Sequence, residues 1–147
     1  MTGCSASNLA FEMSAKDAVG TWTASDDFVT VLVLNENGSL TATEWPTAPG
    51  CDGSSAEDIA SLRAAERVNI SGEWEANETR PYELVLHFSA ETCSTYGTYT
   101  HVWRRADGKL DICVIIPSEG DPYPLTVDQR FVLHKDPAAD PEVRSCP

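Results

Sequence analysis

Short segments of alternating apolar and polar residues, separated by turn-forming residues, are the feature that most limits how this chain can fold. Residues 68–76 place an apolar or small side chain at every second position, and residues 39–45 alternate around Thr41 and Thr43. A period of two puts successive side chains on opposite faces of a strand, so one face is buried and the other meets water. The pattern therefore indicates a chain built mainly from β-strands.

We expect eight such strands between residues 19 and 134, nearly all joined by short turns. The connection after the third strand is the exception, because residues 56–67 have the apolar spacing and capping residues of a short amphipathic helix. Sequentially connected antiparallel strands can close on themselves and so remove exposed edges. The predicted fold is therefore mainly β: an eight-stranded antiparallel up-and-down barrel with one short helix inserted between strands 3 and 4. A two-sheet sandwich is the alternative.

The first residues indicate where the protein works. The sequence Thr2-Gly3-Cys4 resembles the end of a bacterial lipobox, the part of a signal peptide in which the cysteine is lipidated. This resemblance implies an extracytoplasmic protein that is anchored to the bacterial cell membrane through Cys4 alone, since the sequence has no apolar run long enough to span a bilayer. Residues 1–18 are then a lipoprotein N-terminus and flexible tether, and residues 19–147 are a single barrel domain with a C-terminal tail.

The chain has five cysteines, and lipidation of Cys4 would leave four for disulfide bonds. An oxidising, extracytoplasmic location favours such bonds. Loops of a meander alternate between the barrel ends, so Cys51 and Cys93 share an end and form the natural pair. Cys113 falls in an outward strand position that Cys146 in the tail can reach, although other pairings stay open. Each bridge would contribute about 2 to 4 kcal/mol.

Gly20-Thr21-Trp22 in the first strand resembles the Gly-X-Trp signature of lipocalins and the wider calycin group, and the chain looks like the small lipocalin-like lipoproteins of actinobacteria. The resemblance implies a lipocalin-like barrel. It also implies that an arginine near the last strand stacks over the tryptophan, a role that we assign to Arg130. Such a cation-π contact would close one end of the barrel.

Charge and motifs exclude several kinds of function. A net charge of -13 argues against nucleic acid, because phosphate binding needs a surplus of basic residues. The sequence has no nucleophile elbow, zinc-protease motif or phosphate-binding glycine loop, so we expect no enzyme, catalytic residue or cofactor. His87 and His101 fall in adjacent strands, nearly opposite one another if their hairpin is symmetric. They lack a third ligand and lie in solvent positions, so we predict no metal site.

Two functional hypotheses remain, and they differ in what the inward side chains do. In the first, these side chains line a pocket for one small apolar ligand. In the second, they fill the barrel, and the protein is a structural or interaction module of the cell envelope, an inhibitor or assembly factor with a protein partner. Tyr99 and Trp103, beside Arg104 and Arg105, could then form an exposed patch in the same outward phase as Trp45. The pocket candidates are Trp74, Tyr82, Leu84, Leu86, Phe88 and Phe131.

Overall fold

The strands of the barrel follow one another along the chain in a computed structural model that describes residues 9–24, 28–46, 63–88, 98–105, 108–115 and 130–135. A 3-10 helix, Ala15–Ala18, precedes the first strand. The eight strands are β1 (Gly20–Ala24), β2 (Val31–Leu34), β3 (Ser39–Pro46), β4 (Arg67–Ala76), β5 (Glu83–Phe88), β6 (Thr98–Arg104), β7 (Leu110–Ile115) and β8 (Arg130–His134).

Every strand pairs antiparallel with its neighbours in sequence, and β8 returns to β1, so the sheet is a closed barrel. The closing ladder pairs Thr23 with His134 and Ala24 with Leu133. The predicted eight-stranded antiparallel up-and-down barrel is confirmed, and the sandwich alternative is wrong. The inserted helix is not confirmed, because most of it lies outside the described residues and only Arg63 and Ala64 are helical.

The up-and-down course of the strands gives the barrel two ends. At one end lie the short connections β2–β3, β4–β5 and β6–β7, together with the start of β1 and the end of β8. We call this the turn end. The opposite end is where the chain leaves one strand and enters the next in the connections β1–β2, β3–β4, β5–β6 and β7–β8. We call it the loop end.

The interior is one hydrophobic cluster to which all eight strands contribute. Alternation along each strand explains this, since Leu84, Leu86 and Phe88 of β5 point inward while the residues between them are half-buried. Each large apolar side chain that is fully buried contributes about 1.5 to 3 kcal/mol. The largest fully buried side chains are Trp22, Trp45, Phe131, Leu32, Leu34, Leu40, Leu84, Leu86, Ile112 and Leu133.

Residues 9–18, which we expect to belong to a tether, pack against the turn end. Met13 is only 4% exposed, and Ala10 and Ala18 are completely buried in the core cluster. The Ala10 N–H donates to the Val102 carbonyl at 3.1 Å. Small side chains allow this close approach. Residues 1–8 lie outside the described part of the chain.

Glu12 and Arg104 form an ion pair that helps hold this segment to β6. A hydrogen bond from its own backbone N–H is the main cause of the lowered pKa of the Glu12 carboxyl; burial opposes this effect, and the Arg104 guanidinium lowers the pKa further. A carboxyl with a lowered pKa in the folded state contributes stability above its unfolded-state pKa, and that contribution is lost as the pH falls through the folded-state pKa. Because both side chains are substantially exposed, the contribution is small.

Gly72 lies where the backbone of β5 leaves no room for a side chain on β4, and it allows a test of the β4–β5 packing. A Cβ at Gly72 would lie 1.9 Å from the His87 carbonyl oxygen. We expect Gly72→Ala to lower the free energy of unfolding by about 3 kcal/mol in urea titrations, because backbone must move to accommodate the methyl group. At Gly108, an added Cβ would meet nothing within 4 Å and the φ of +85° is the only penalty. Gly108→Ala should therefore lose only about 1 kcal/mol, and equal losses would contradict the close approach.

Candidate functional site

Four aromatic side chains pack together inside the barrel near the loop end. The ring centroids of Phe28 and Phe131 are 4.8 Å apart, and those of Trp45 and Phe88 are 5.0 Å apart. Trp45 joins the two pairs, since its ring lies 5.8 Å from that of Phe131 in an edge-on arrangement. We call these four residues the loop-end aromatic cluster.

Trp45 points into the barrel, so the prediction that it shares the outward phase of Thr41 is wrong. The register between β3 and β4 shifts between Ala42 and Trp45. Glu44, inside this irregularity, has a φ of 55°. An extra residue in one strand reverses the alternation beyond it. The β-bulge therefore turns Trp45 inward, where it is 1% exposed.

Two side chains hold the bulge in place. The Thr30 hydroxyl donates to the Glu44 carbonyl oxygen at 2.6 Å, and the Glu44 N–H donates to the Asn69 side-chain oxygen at 3.0 Å. A left-handed backbone conformation costs a residue other than glycine about 1 to 2 kcal/mol, and such strain persists only where the surroundings enforce it. The local backbone is thus arranged, at an energetic cost, to direct Trp45 into the barrel.

The indole N–H of Trp45 has no hydrogen-bond partner, and within the described residues it is the only buried side-chain nitrogen or oxygen in this condition. The other interior tryptophans are satisfied at the turn end: Trp22 donates to the Ala18 carbonyl and Trp74 to the Asn35 carbonyl, each at 2.9 Å. A buried donor left unpaired costs about 1 to 3 kcal/mol. An acceptor atom on a bound molecule would remove that cost.

Two arginines lie against the loop-end aromatic cluster. The guanidinium carbon of Arg67 is 4.9 Å from the centroid of the Phe28 ring, and that of Arg63 is 5.9 Å away. Both distances are within the range of a cation-π contact. Arg67 is also oriented by backbone, because its Nη2 donates to the Arg63 carbonyl at 3.0 Å. The loop end therefore combines apolar rings, an unpaired donor and positive charge.

Five of the six predicted pocket residues lie in the interior cluster, and the sixth borders it. Trp74, Leu84, Leu86, Phe88 and Phe131 are each at most 9% exposed. Tyr82 is half-buried and meets the exposed ring of Phe11 edge-on at 5.2 Å. Of these six, Phe88 and Phe131 form the ring contacts with Trp45.

The proposed barrel-closing residues are only partly brought together. Gly20 begins β1 and Trp22 is fully buried at the turn end, but Arg130 pairs with Ile115 at the loop end of β8. The backbone of Arg130 thus lies at the other end of the barrel from Trp22; its side chain lies outside the described part of the structure, and the role that we assigned to it stays a prediction. Lys135 takes the position next to β1, since a Cβ on Gly20 would lie 3.1 Å from the Lys135 Cε. Its ammonium group donates to the Asp17 carbonyl at 2.5 Å.

A buried polar cluster on the outer face of the barrel was missed in the sequence. Asp111 Oδ1 lies 3.0 Å from Arg105 Nη1 and 2.6 Å from His134 Nδ1. Arg105 Nη1 also lies 3.1 Å from His134 Nδ1, so the three side chains contact one another. The register of β7 and β8 could have revealed this cluster, because it places Asp111 directly opposite His134. The cluster joins β8 to the β6–β7 hairpin.

Beside it, Trp103, Cys113 and Val132 form a second hydrophobic cluster, against which Leu9 packs. Trp103 is 2% exposed, so the predicted exposed patch of Tyr99 and Trp103 is wrong for the tryptophan, and the Tyr99 side chain lies outside the described part. Cys113 lies in a disulfide bond, whose partner is not among the described residues. Its pairing with Cys146, and that of Cys51 with Cys93, stay predictions because those three residues and Cys4 all lie outside that part of the chain.

His87 of β5 and His101 of β6 do not face each other. The register pairs His101 with Glu83 and His87 with Glu73, so the assumed symmetry of this hairpin about Cys93 and Ser94 is wrong. Each imidazole lies near a carboxylate instead, 3.4 Å from Glu75 for His87 and 3.5 Å from Glu83 for His101. The described ranges contain no group of three side chains suited to a metal ion. They also contain no helix of the length and hydropathy needed to cross a membrane.

Substitutions at Glu44 test whether the bulge is strained. We expect Glu44→Gly to leave the free energy of unfolding unchanged or to raise it by up to about 1 kcal/mol, because glycine accepts a positive φ. Glu44→Val should lower it by about 2 kcal/mol, since a β-branched residue is poorly tolerated there. Thr43→Val, at an exposed strand position next to it, is the control and should change stability by less than about 0.5 kcal/mol. Equal losses in both Glu44 variants, measured by urea unfolding, would contradict strain.

Comparison with known proteins adds no relative to this picture. No protein-family model, curated protein or solved structure matches the chain. The resemblance to lipocalins and to actinobacterial lipoproteins stays a prediction that depends on Gly20, Trp22 and the order of the strands.

Proposed function

We propose that this protein is a lipid-anchored, lipocalin-like binding protein of the bacterial cell envelope, and that it holds a small, largely apolar molecule at the loop end of its barrel. The observation that carries the binding function is the buried and unpaired N–H of Trp45. A hydrogen-bond acceptor on the ligand would meet this donor. The apolar part of the ligand would pack against the loop-end aromatic cluster.

Three features support a binding role for this part of the barrel. Aromatic rings supply a large apolar surface, and small-molecule sites are mostly apolar with a few polar groups that set orientation. Trp45 provides one such group, and Phe88 and Phe131 flank it. Backbone strain that is held in place by Thr30 and Asn69 is typical of functional sites. At the turn end, by contrast, the indole groups of Trp22 and Trp74 are satisfied within the protein.

A module that binds another protein through its surface is the alternative. Such a module needs a contiguous exposed apolar patch. The exposed large apolar side chains of the described residues are Phe11, at 56%, and Val29, at 64%. Phe11 lies at the turn end and Val29 precedes β2 at the loop end, so they do not form one patch. Ligand binding at the loop end is therefore better supported.

The neutral naphthyl ketone dye prodan tests the binding function, because its fluorescence reports an apolar environment and its ketone can accept from Trp45. We expect saturable binding with a blue-shifted emission. Trp45→Phe removes the donor and keeps an aromatic ring, so it should weaken binding roughly three- to tenfold, the value of one hydrogen bond. Isothermal titration with the same dye gives the affinity independently of tryptophan emission.

Trp74→Phe is the matched control. It removes an indole N–H that already has a partner, at the other end of the barrel. It should lower the melting temperature and leave prodan affinity within about twofold of the parent protein. No saturable prodan binding, or equal losses of affinity in the two variants, would overturn the proposed site.

The membrane anchor has its own test, because Cys4 can carry either a lipid or a disulfide bond. We expect mass spectrometry of the N-terminal peptide, from protein purified out of the membrane fraction of its own bacterium, to show a diacylglyceryl group on Cys4. The structure describes the chain from Leu9, which packs on β6, and four residues separate Leu9 from Cys4. A lipid there would hold the barrel within about 20 Å of the bilayer surface. An unmodified Cys4, or one joined to Cys113, would contradict the anchor.

A further inference from the structure

We infer that the ligand of the loop end is an organic anion, whose acidic group is bound by Arg63 and Arg67 while its apolar part lies against the loop-end aromatic cluster. This inference rests on the proposed function and adds the chemical class of the ligand. Its basis is a pair of arginines that has no carboxylate partner among the described residues, in a strongly acidic protein.

Ion pairing elsewhere in the barrel shows why this pair is unusual. The chain carries 23 acidic against 10 basic residues, so acidic partners are abundant. At the turn end, Arg80 pairs with Glu83, Arg104 with Glu12 and Arg105 with Asp111. Arg63 and Arg67 make no ion pair with any described residue, and their polar contacts there are those of Arg67 with backbone carbonyls.

The geometry of the pair favours an anion between or above the two side chains. Both guanidinium groups lie within 6 Å of the centroid of the same ring, that of Phe28, at 4.9 and 5.9 Å. Both positive charges lie near this one ring, so an anion placed beside it would be attracted by both. Guanidinium groups bind carboxylates through paired N–H donors in a planar arrangement. Arg67 is already oriented by the Arg63 and Ala65 carbonyls, so little freedom of this side chain would be lost on binding.

The aromatic contacts connect the arginines with the unpaired donor. Phe28, under the arginines, touches Phe131, and Phe131 touches Trp45. A compact aromatic acid that packs its ring against this cluster could therefore place its acidic group at the arginines. An inorganic anion has the charge without the apolar part and should bind poorly.

Competition against prodan with two ligands of matched shape tests the charge preference. Naphthoate and acetylnaphthalene share a naphthalene ring and a carbonyl acceptor, and only naphthoate is negatively charged at neutral pH. We expect naphthoate to displace prodan at about tenfold lower concentration, and added salt should reduce this advantage because the arginines are partly exposed. Inorganic phosphate at the same concentrations should not displace the dye, and displacement by phosphate would overturn the requirement for an apolar part.

Variants of Arg63 and Arg67 test whether these side chains cause the preference for naphthoate over acetylnaphthalene. Arg63→Gln, at an exposed position, should lower naphthoate affinity about fivefold, and the double variant Arg63→Gln with Arg67→Gln should abolish the advantage over acetylnaphthalene. Arg63→Lys should retain part of it because the charge is kept. Arg80→Gln at the turn end is the control and should leave both affinities unchanged. If prodan binding depends on Trp45 but naphthoate binds no more tightly than acetylnaphthalene, the inference fails and the proposed function stands. If prodan does not bind at all, the proposed function itself fails.

Discussion

Closure of the sheet is the constraint on which the rest of the structure depends. The β1–β8 ladder is short, with Thr23 opposite His134 and Ala24 opposite Leu133. Hydrogen bonds to the preceding 3-10 helix add to this short ladder. The Trp22 indole donates to the Ala18 carbonyl, and the Lys135 ammonium group donates to the Asp17 carbonyl, so the 3-10 helix is tied to both closing strands. Because the barrel is closed, every strand is hydrogen-bonded to a neighbour on both sides. The interior also has a limited volume, which the inward side chains must fill together.

That limited volume explains why one β-bulge has so large an effect. Leu40 and Ala42 of β3 point inward, so regular alternation would make Glu44 the next inward residue. Glu44 is charged. The bulge carries Glu44 past the inward position and brings Trp45 in. Burial of a large aromatic side chain instead of a carboxylate offsets the cost of a positive φ, since an unpaired carboxylate in the interior would cost far more. The burial of Trp45 in place of Glu44 leaves one cost, the unpaired indole N–H.

Alternation of residues was sufficient to predict the strands, their order and most of the interior, because a period of two reports burial directly. It failed where pairing between distant segments decides the outcome. Nothing in Glu44 as a residue type marks a left-handed backbone, so Trp45 was assigned to the wrong face. Trp103 is covered by Leu9, almost a hundred residues away in the chain. The register of β5 and β6 sets His87 apart from His101, and loop length alone does not reveal that register.

Among the described residues, polar groups are paired more completely at the turn end than at the loop end, and this asymmetry supports the proposal that the loop end binds a ligand. At the turn end, the indole groups have acceptors and the arginines Arg80, Arg104 and Arg105 have carboxylates. At the loop end, the described residues include a strained Glu44, a Trp45 donor without an acceptor and an arginine pair without an anion. A structure selected only for stability would remove such costs, as the turn end does, because each lies within reach of a simple substitution. Their concentration around one aromatic cluster supports the proposal that a ligand completes this site.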